Sequence, residues 1–230
     1  MKHAVVTGGS RGIGAAIVAA LEDAGYRTTA MSRSSGVDVT DAAAVNAAFS
    51  ALDQPVDILV NNAGIAPSMP FSRMDAAHWQ ETFDVNVNGA FHCTRAVLPE
   101  LAKRGGGRVI NIASTAGLKG YGYVAAYVAS KHALVGLTRA LASEYAASDV
   151  TINAICPGFA ETDLLRESVG NIIEKTGRDE EAARAALAAS NPQGRFIQPE
   201  EVAAAVLWLV SEEARSVTGQ CISISGGETT

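Results

Sequence analysis

An α/β fold, with a doubly wound parallel sheet of about seven strands flanked by helices, is what this sequence predicts. Strand-like and helix-like segments alternate along the chain, and several of the apolar runs end in a polar or glycine-rich turn. Strands separated by helices imply right-handed crossovers, which cover both faces of a parallel sheet. The 230 residues are 48% hydrophobic with no break in composition, so one domain over residues 1–230 is expected.

"HAVVTGG" is a short apolar run halted by glycines, the first strand, and "GAAIVAALEDAG" follows with helical periodicity and Gly25 as its closing residue. "YRTTAMSR" is the next strand. "VDVTD" ends another, with Thr40 or Asp41 placed to cap the helix "AAAVNAAFSAL". "VDILVNNAG" is an apolar strand ending in a polar turn, and helical segments follow from Asp75 to about Gly89 and from Ala90 to Lys103. The strand "GRVINIAS" is entered through Gly105, Gly106 and Gly107. A helix carrying Tyr127 then runs to about Tyr145, before the strand "VTINAICPG". The polar, alanine-rich stretch from Glu161 to Ser190 reads as two short helices broken near Gly177, and "PEEVAAAVLWLVS" and "QCISISGG" supply the last helix and strand. Ligands bind at the carboxyl ends of such strands, where "TGGSRG", "NNAG", "AST" and "CPG" fall, so one long crevice is predicted.

A formal charge of -6 without any basic run argues against a nucleic-acid partner. Cys93, Cys156 and Cys221 are odd in number, far apart and without metal-like spacing, so they read as small buried hydrophobes in a reducing compartment. His3, His78, His92 and His132 do not cluster, and no metal is expected. The most apolar stretch, Val202 to Val210, is about half of the ~20 residues a membrane span requires, and "MKHAVVTGGS" is too short for a signal peptide's apolar core. A cytoplasmic location without membrane contact is expected.

In the first turn, "TGGSRGIG", Gly8 lets the chain leave the strand tightly, Gly12 lets the backbone approach a pyrophosphate, and Gly14 lets helix and strand pack closely. Its place after the first strand and before a helix is the context a dinucleotide loop needs. Within "AYVASK", Tyr127 and Lys131 stand four apart and share a helix face, so a phenol lies beside an ammonium. Taken alone, that pair reads as a buried tyrosine whose hydroxyl merely finds a partner. Ser114 ends "VINIAS" at the same sheet edge.

These motifs, TGxxxGxG, "NNAG", "VNVNG", Ser114, Tyr127-x-x-x-Lys131 and "PGFAET", stand in the order and approximate spacing of the classical short-chain dehydrogenases/reductases, which the chain resembles over nearly its whole length. The resemblance implies a single-domain Rossmann fold. It implies that Ser114 orients a carbonyl, Tyr127 transfers the proton, Lys131 lowers the phenol's pKa and binds the nicotinamide ribose, and Asn86 rather than Asn88 holds a relay water. It also assigns cofactor contacts to Gly8, Ser10, Arg11, Gly12, Ile13, Gly14, Arg33, Asp38, Val39, Asn62, Ala63, Gly64, Tyr127, Lys131, Pro157, Gly158 and Thr162.

An acidic residue at the end of the second strand would mark NAD; here Ser32 stands there, followed by Arg33, so with Arg11 two cations favour NADP(H), with NAD the alternative. The connection between Arg33 and Asp38 is shorter than the family's, which leaves the adenine end more open. Residues 159–192 lie where the family has its substrate lid, and Phe159, Leu164, Leu165 and Leu118 suggest an apolar wall. His92, Lys119 and Tyr123 are weaker substrate-contact candidates. The expected activity is hydride transfer between NADP(H) and a ketone or secondary alcohol, of the carbonyl or 3-ketoacyl reductase type, in a homodimer or homotetramer. An NAD-dependent alcohol dehydrogenase of the same fold is one alternative. A non-catalytic dinucleotide-binding sensor is another, although such a module has no chemical need for Ser114, Tyr127 and Lys131 together.

Overall fold

A computed structural model describes residues 1–229. Among them, six parallel strands form one sheet: β1 (His3–Thr7), β2 (Arg27–Met31), β3 (Ile58–Asn61), β4 (Gly107–Ile112), β5 (Val150–Pro157) and β6 (Cys221–Ile224), in the order β2-β1-β3-β4-β5-β6. Every residue of β1, β3 and β5 is buried, as expected for strands covered on both faces. On one face, α1 (Gly12–Asp23) packs against α8 (Pro199–Val210), where Ile17 and Leu21 join Val206 and Leu209 in a core cluster. On the other lie α2 (Ala42–Ser50), α4 (Gly89–Lys103) and α5 (Ala125–Glu144), contributing Val45, Leu98, Leu101 and Ala142. The carboxylate of Asp41 caps α2, accepting from the backbone N–H groups of Ala43 and Ala44.

The sheet has six strands, where about seven were expected, because residues 37–39 pair with none. After β2 the chain makes a 3₁₀ turn at Arg33–Ser35, closes it with Gly36 at φ 81°, and donates the Val37 N–H back to the Ser32 carbonyl at 3.0 Å. A strand parallel to β2 needs a crossover of about 10–12 residues. The few residues available cannot span it, so β2 remains an edge strand.

The two helical segments expected between Asp75 and Lys103 are α3 (Ala76–Phe83) and α4, joined without a break by one π-helical turn, Asp84–Asn88. Beyond β5, α6 (Asp163–Thr176) ends at Gly177, which is left-handed at φ 69°, and α7 (Glu180–Ala188) follows. These two helices share a small apolar cluster of their own, Leu165, Val169 and Ala183 with Phe196. Cys93 and Cys156 are buried, whereas Cys221 is only half-buried on β6, contrary to the expectation that all three would be core residues. Among the described residues no helix is long and apolar enough to cross a membrane.

Candidate active site

Strand order reverses at β1, which pairs with β2 on one side and β3 on the other, and the turns that leave β1 and β3 meet at this switch point. Thr7 Oγ accepts from the N–H groups of Asn62 and Ala63 at 3.0 and 3.1 Å, while the Asn62 amide donates to the carbonyls of Thr7 and Gly8 at 2.9 and 3.0 Å. The side chain of Asn62 therefore stitches the two turns together. Gly8, at φ 64°, donates its N–H to Met31 at the end of β2, fixing the loop from a third side. A Cβ on Gly14 would lie 2.2 Å from the Gly8 carbonyl oxygen and 2.5 Å from Asn62 Nδ2, so only glycine lets α1 begin there. The expected close packing at Gly14 is thus against these turns. Gly12, at φ 54°, faces Thr162 at the start of α6. No side chain caps the N-terminus of α1.

β4 delivers Ser114, which opens a 3₁₀ turn and accepts the Ala116 N–H at 3.1 Å. Tyr127 and Lys131 sit on the first turns of α5, with the lysine Nζ 5.7 Å from the phenol ring centroid. Burial pushes the Tyr127 phenol up, and a hydrogen bond with Ser114 opposes it. The same burial pulls Lys131 down to about 8. Only 4% exposed, that ammonium donates to the Ile112 carbonyl at 2.9 Å.

Asn86 lies in the π-helical turn and is buried, accepting from the Ile65 N–H and donating to the Ile65 carbonyl and to Ser130 Oγ. It pins the end of the β3 turn to α5 and stands behind the cavity wall rather than on it. Gly64 makes that approach feasible: a Cβ there would stand 3.2 Å from Asn86 Oδ1 and 3.6 Å from Lys131 Nζ. Asn88 is spent on Asp84, at 2.7 Å.

The turns after β1, β2, β3, β4 and β5, together with α6, enclose one cavity of about 1500 Å³ that is lined by Ser114, Tyr127, Lys131 and each of the expected cofactor-contact residues. The match with known proteins is equally extensive. The family model described as enoyl-(acyl carrier protein) reductase matches residues 28–229. The acetoacetyl-CoA reductase of Rhizobium meliloti is 38% identical over 98% of this chain and 97% of its own. The 3beta-hydroxysteroid dehydrogenase of Mediterraneibacter gnavus is 37% identical, covering 98% of this chain and 85% of that one. A solved variant of actinorhodin polyketide ketoreductase with NADPH superposes with a TM-score of 0.94 at 33% identity, covering 100% of this chain and 97% of that one. The chain belongs to the short-chain dehydrogenase/reductase family.

As an oxidoreductase of that family it needs a nicotinamide cofactor, and the residues present fit one. Gly8, Gly12 and Gly14 line the cavity at an uncapped helix start, and Arg11 and Arg33 line the same cavity. Arg11 is mostly exposed and pairs with Asp163 of α6 at 3.5 Å, whereas Arg33 stands exposed on the cavity rim. Asp38 accepts from the N–H and hydroxyl of Thr40, which hold its carboxyl below the usual range, and Val39 packs over Gly89.

Of the weaker candidates, His92 bonds the Val39 carbonyl outside the cavity, Lys119 pairs with Glu228, and Tyr123 lines the cavity with a left-handed φ of 66°. Phe159, Leu164 and Leu165 line the cavity as expected, but Leu118 packs into the core beside α5. Ser32 lines it at the position expected to select the cofactor, and Thr115 and Tyr121 also line it without having been named as contacts. Ser32 and Thr115 adjoin motif residues, but nothing local in the sequence marks Tyr121.

Proposed function

We propose that this short-chain dehydrogenase/reductase reduces a ketone to a secondary alcohol with NADPH. The observation that carries the reading is that Ser114, Tyr127 and the buried Lys131 line the one cavity that the glycine loop enters, with Lys131 Nζ over the Tyr127 ring. Bound nicotinamide would supply the hydride. Ser114 and Tyr127 hold the ketone oxygen between their hydroxyls. Tyr127, its phenol protonated near neutral pH, gives its proton as negative charge grows on that oxygen. The Lys131 ammonium faces the ring and stabilises the phenolate left behind. Asn86, its amide taken by Ile65 and Ser130, positions the β3 turn against α5.

Arg11 and Arg33, with Ser32 where an acidic residue would repel a 2′-phosphate, support NADPH over NADH. The relatives' printed names, acetoacetyl-CoA reductase and 3beta-hydroxysteroid dehydrogenase, together with the apolar residues Phe159, Leu164 and Leu165, support a β-ketoacyl thioester or a cyclic ketone as substrate. Residues 159–192 act as the lid, and the working unit is a homodimer or homotetramer in the cytoplasm.

Titrating the protein with NADPH and NADH while following nicotinamide fluorescence, then adding a panel of ketones, tests the reading. Tighter NADPH binding with oxidation on one ketone class is expected. Preference for NADH would overturn the cofactor assignment, and binding without turnover on any ketone would make the chain a sensor.

A further inference from the structure

The C-terminal segment carries a carboxylate that the reaction above does not use. After β6, Gly226 and Gly227 take φ of 62° and 96°, and the chain folds back so that the Glu228 side chain is 0% exposed. Its Oε1 accepts the Tyr121 hydroxyl at 2.5 Å and pairs with Lys119 Nζ at 3.2 Å. Its Oε2 is buried without a hydrogen-bond partner. That oxygen abuts Gly158, where a Cβ would come within 3.0 Å of it.

Tyr121 is the hub of this contact. Its hydroxyl also lies 2.7 Å from Thr115 Oγ, the residue after Ser114. Its ring meets Phe159 edge-on, with centroids 6.2 Å apart, and both rings line the cavity that holds Ser114 and Tyr127. The hydroxyl has one hydrogen, and the carboxylate is the stronger acceptor, so Tyr121 donates to Glu228 and accepts from Thr115. Burial and then the carboxylate push the phenol of Tyr121 far above its usual range, which keeps that donor in place. With its hydroxyl turned to Glu228, Tyr121 presents its ring to the substrate beside Phe159.

We propose that Glu228 is a positioning residue for substrate specificity, holding Tyr121 against Phe159 as an aromatic wall. The wall favours ketones with a bulky apolar substituent, since two rings held edge-to-face give that substituent a fixed apolar surface to pack on. Glu228 does not line the cavity and reaches the cofactor side only where its Oε2 abuts Gly158, so its main effect falls on substrate KM and on the choice between substrates. The inference rests on the ketone-reductase reading above.

Wild type, Glu228→Ala, Glu228→Gln and Tyr121→Phe are compared for NADPH affinity and for kcat and KM on acetoacetyl-CoA and on a fused bicyclic ketone. Glu228→Ala should raise KM for the bicyclic ketone by about tenfold, the size of one lost charge-assisted hydrogen bond, with kcat and NADPH affinity within about threefold. Tyr121→Phe should reproduce this shift, and adding Glu228→Ala to it should change nothing more. Glu228→Gln keeps an acceptor for Tyr121 and should restore most of the wild-type KM, which also covers a misfolded alanine variant. Equal loss on both ketones, or a Tyr121→Phe variant with wild-type KM ratios, would overturn the role of Glu228. Wild type that turns over neither ketone, nor any of the wider panel, would instead overturn the reductase reading itself.

Discussion

Tyr127 and Lys131 share one buried pocket, and burial moves them in opposite directions, because it disfavours the phenolate in one and the ammonium in the other. For the tyrosine, the consequence is a protonated donor at neutral pH. Tyr127→Phe removes one oxygen and should cut turnover by about 10²–10⁴-fold while leaving NADPH affinity unchanged, measured by steady-state rates and fluorescence titration. For the lysine, the consequence is a stability profile. Folded Lys131 binds its proton less tightly than in the unfolded chain, so between about pH 8 and 10.5 the unfolded state holds more protons and stability rises with pH. Below that window the burial penalty is present in full. Urea unfolding of wild type and Lys131→Met should therefore show the difference moving toward wild type across the window, by at most about 3 kcal/mol; a constant difference would mean that Lys131 does not titrate there. That Ser114, Tyr127 and Lys131 share one cavity followed from a strand end and a one-turn spacing, whereas their chemical roles came from the family resemblance and not from local rules. Glu228 was not legible in the sequence, because its partner Tyr121 is 107 residues away and no periodicity links a tail to a loop.

Among the elements, the turns at strand ends carry the site, and their glycines separate two physical demands. Gly14 is needed for space, since its Cβ would meet the Gly8 carbonyl at 2.2 Å, whereas Gly25, at φ 84° with nothing within 4 Å, is needed only for conformation. Gly25→Ala should cost about 1–2 kcal/mol of stability and leave NADPH affinity intact. Gly14→Ala should cost a comparable 1–3 kcal/mol and also weaken NADPH binding more than tenfold, because the backbone must shift where the phosphates would lie. Equal affinity in the two variants would place the cofactor elsewhere. The same locality explains which elements were readable. Helix starts such as Asp41 and stops such as Gly177 announce themselves in single residues. Residues 37–39 alternate like a strand, but a strand exists only with a partner, and the turn closed by Gly36 is too short to bring one alongside β2.

For the whole molecule, the sheet leaves an apolar residue exposed on each flank. On one face, α8 buries Val202, Val206 and Leu209 against α1 but leaves Trp208 47% exposed, and β6 beside it ends the sheet as a half-exposed edge. Phe91 on α4, over the opposite face, is 44% exposed. A closed tetramer with two-fold symmetry needs two separate self-complementary patches on each subunit, whereas a dimer needs one. Although Phe71 and Trp79 are exposed as well, we propose that Trp208 and Phe91, one on each face, mark the two contacts of such a tetramer. Neither residue lines the cavity, so assembly and chemistry can be separated. Sedimentation of Trp208→Glu should then give a dimer that retains the wild-type kcat, the charge having spoiled one patch while Phe91 still joins subunits through the other. A monomer would mean that α8 carries the sole contact, and an unchanged tetramer would move that interface away from α8 altogether.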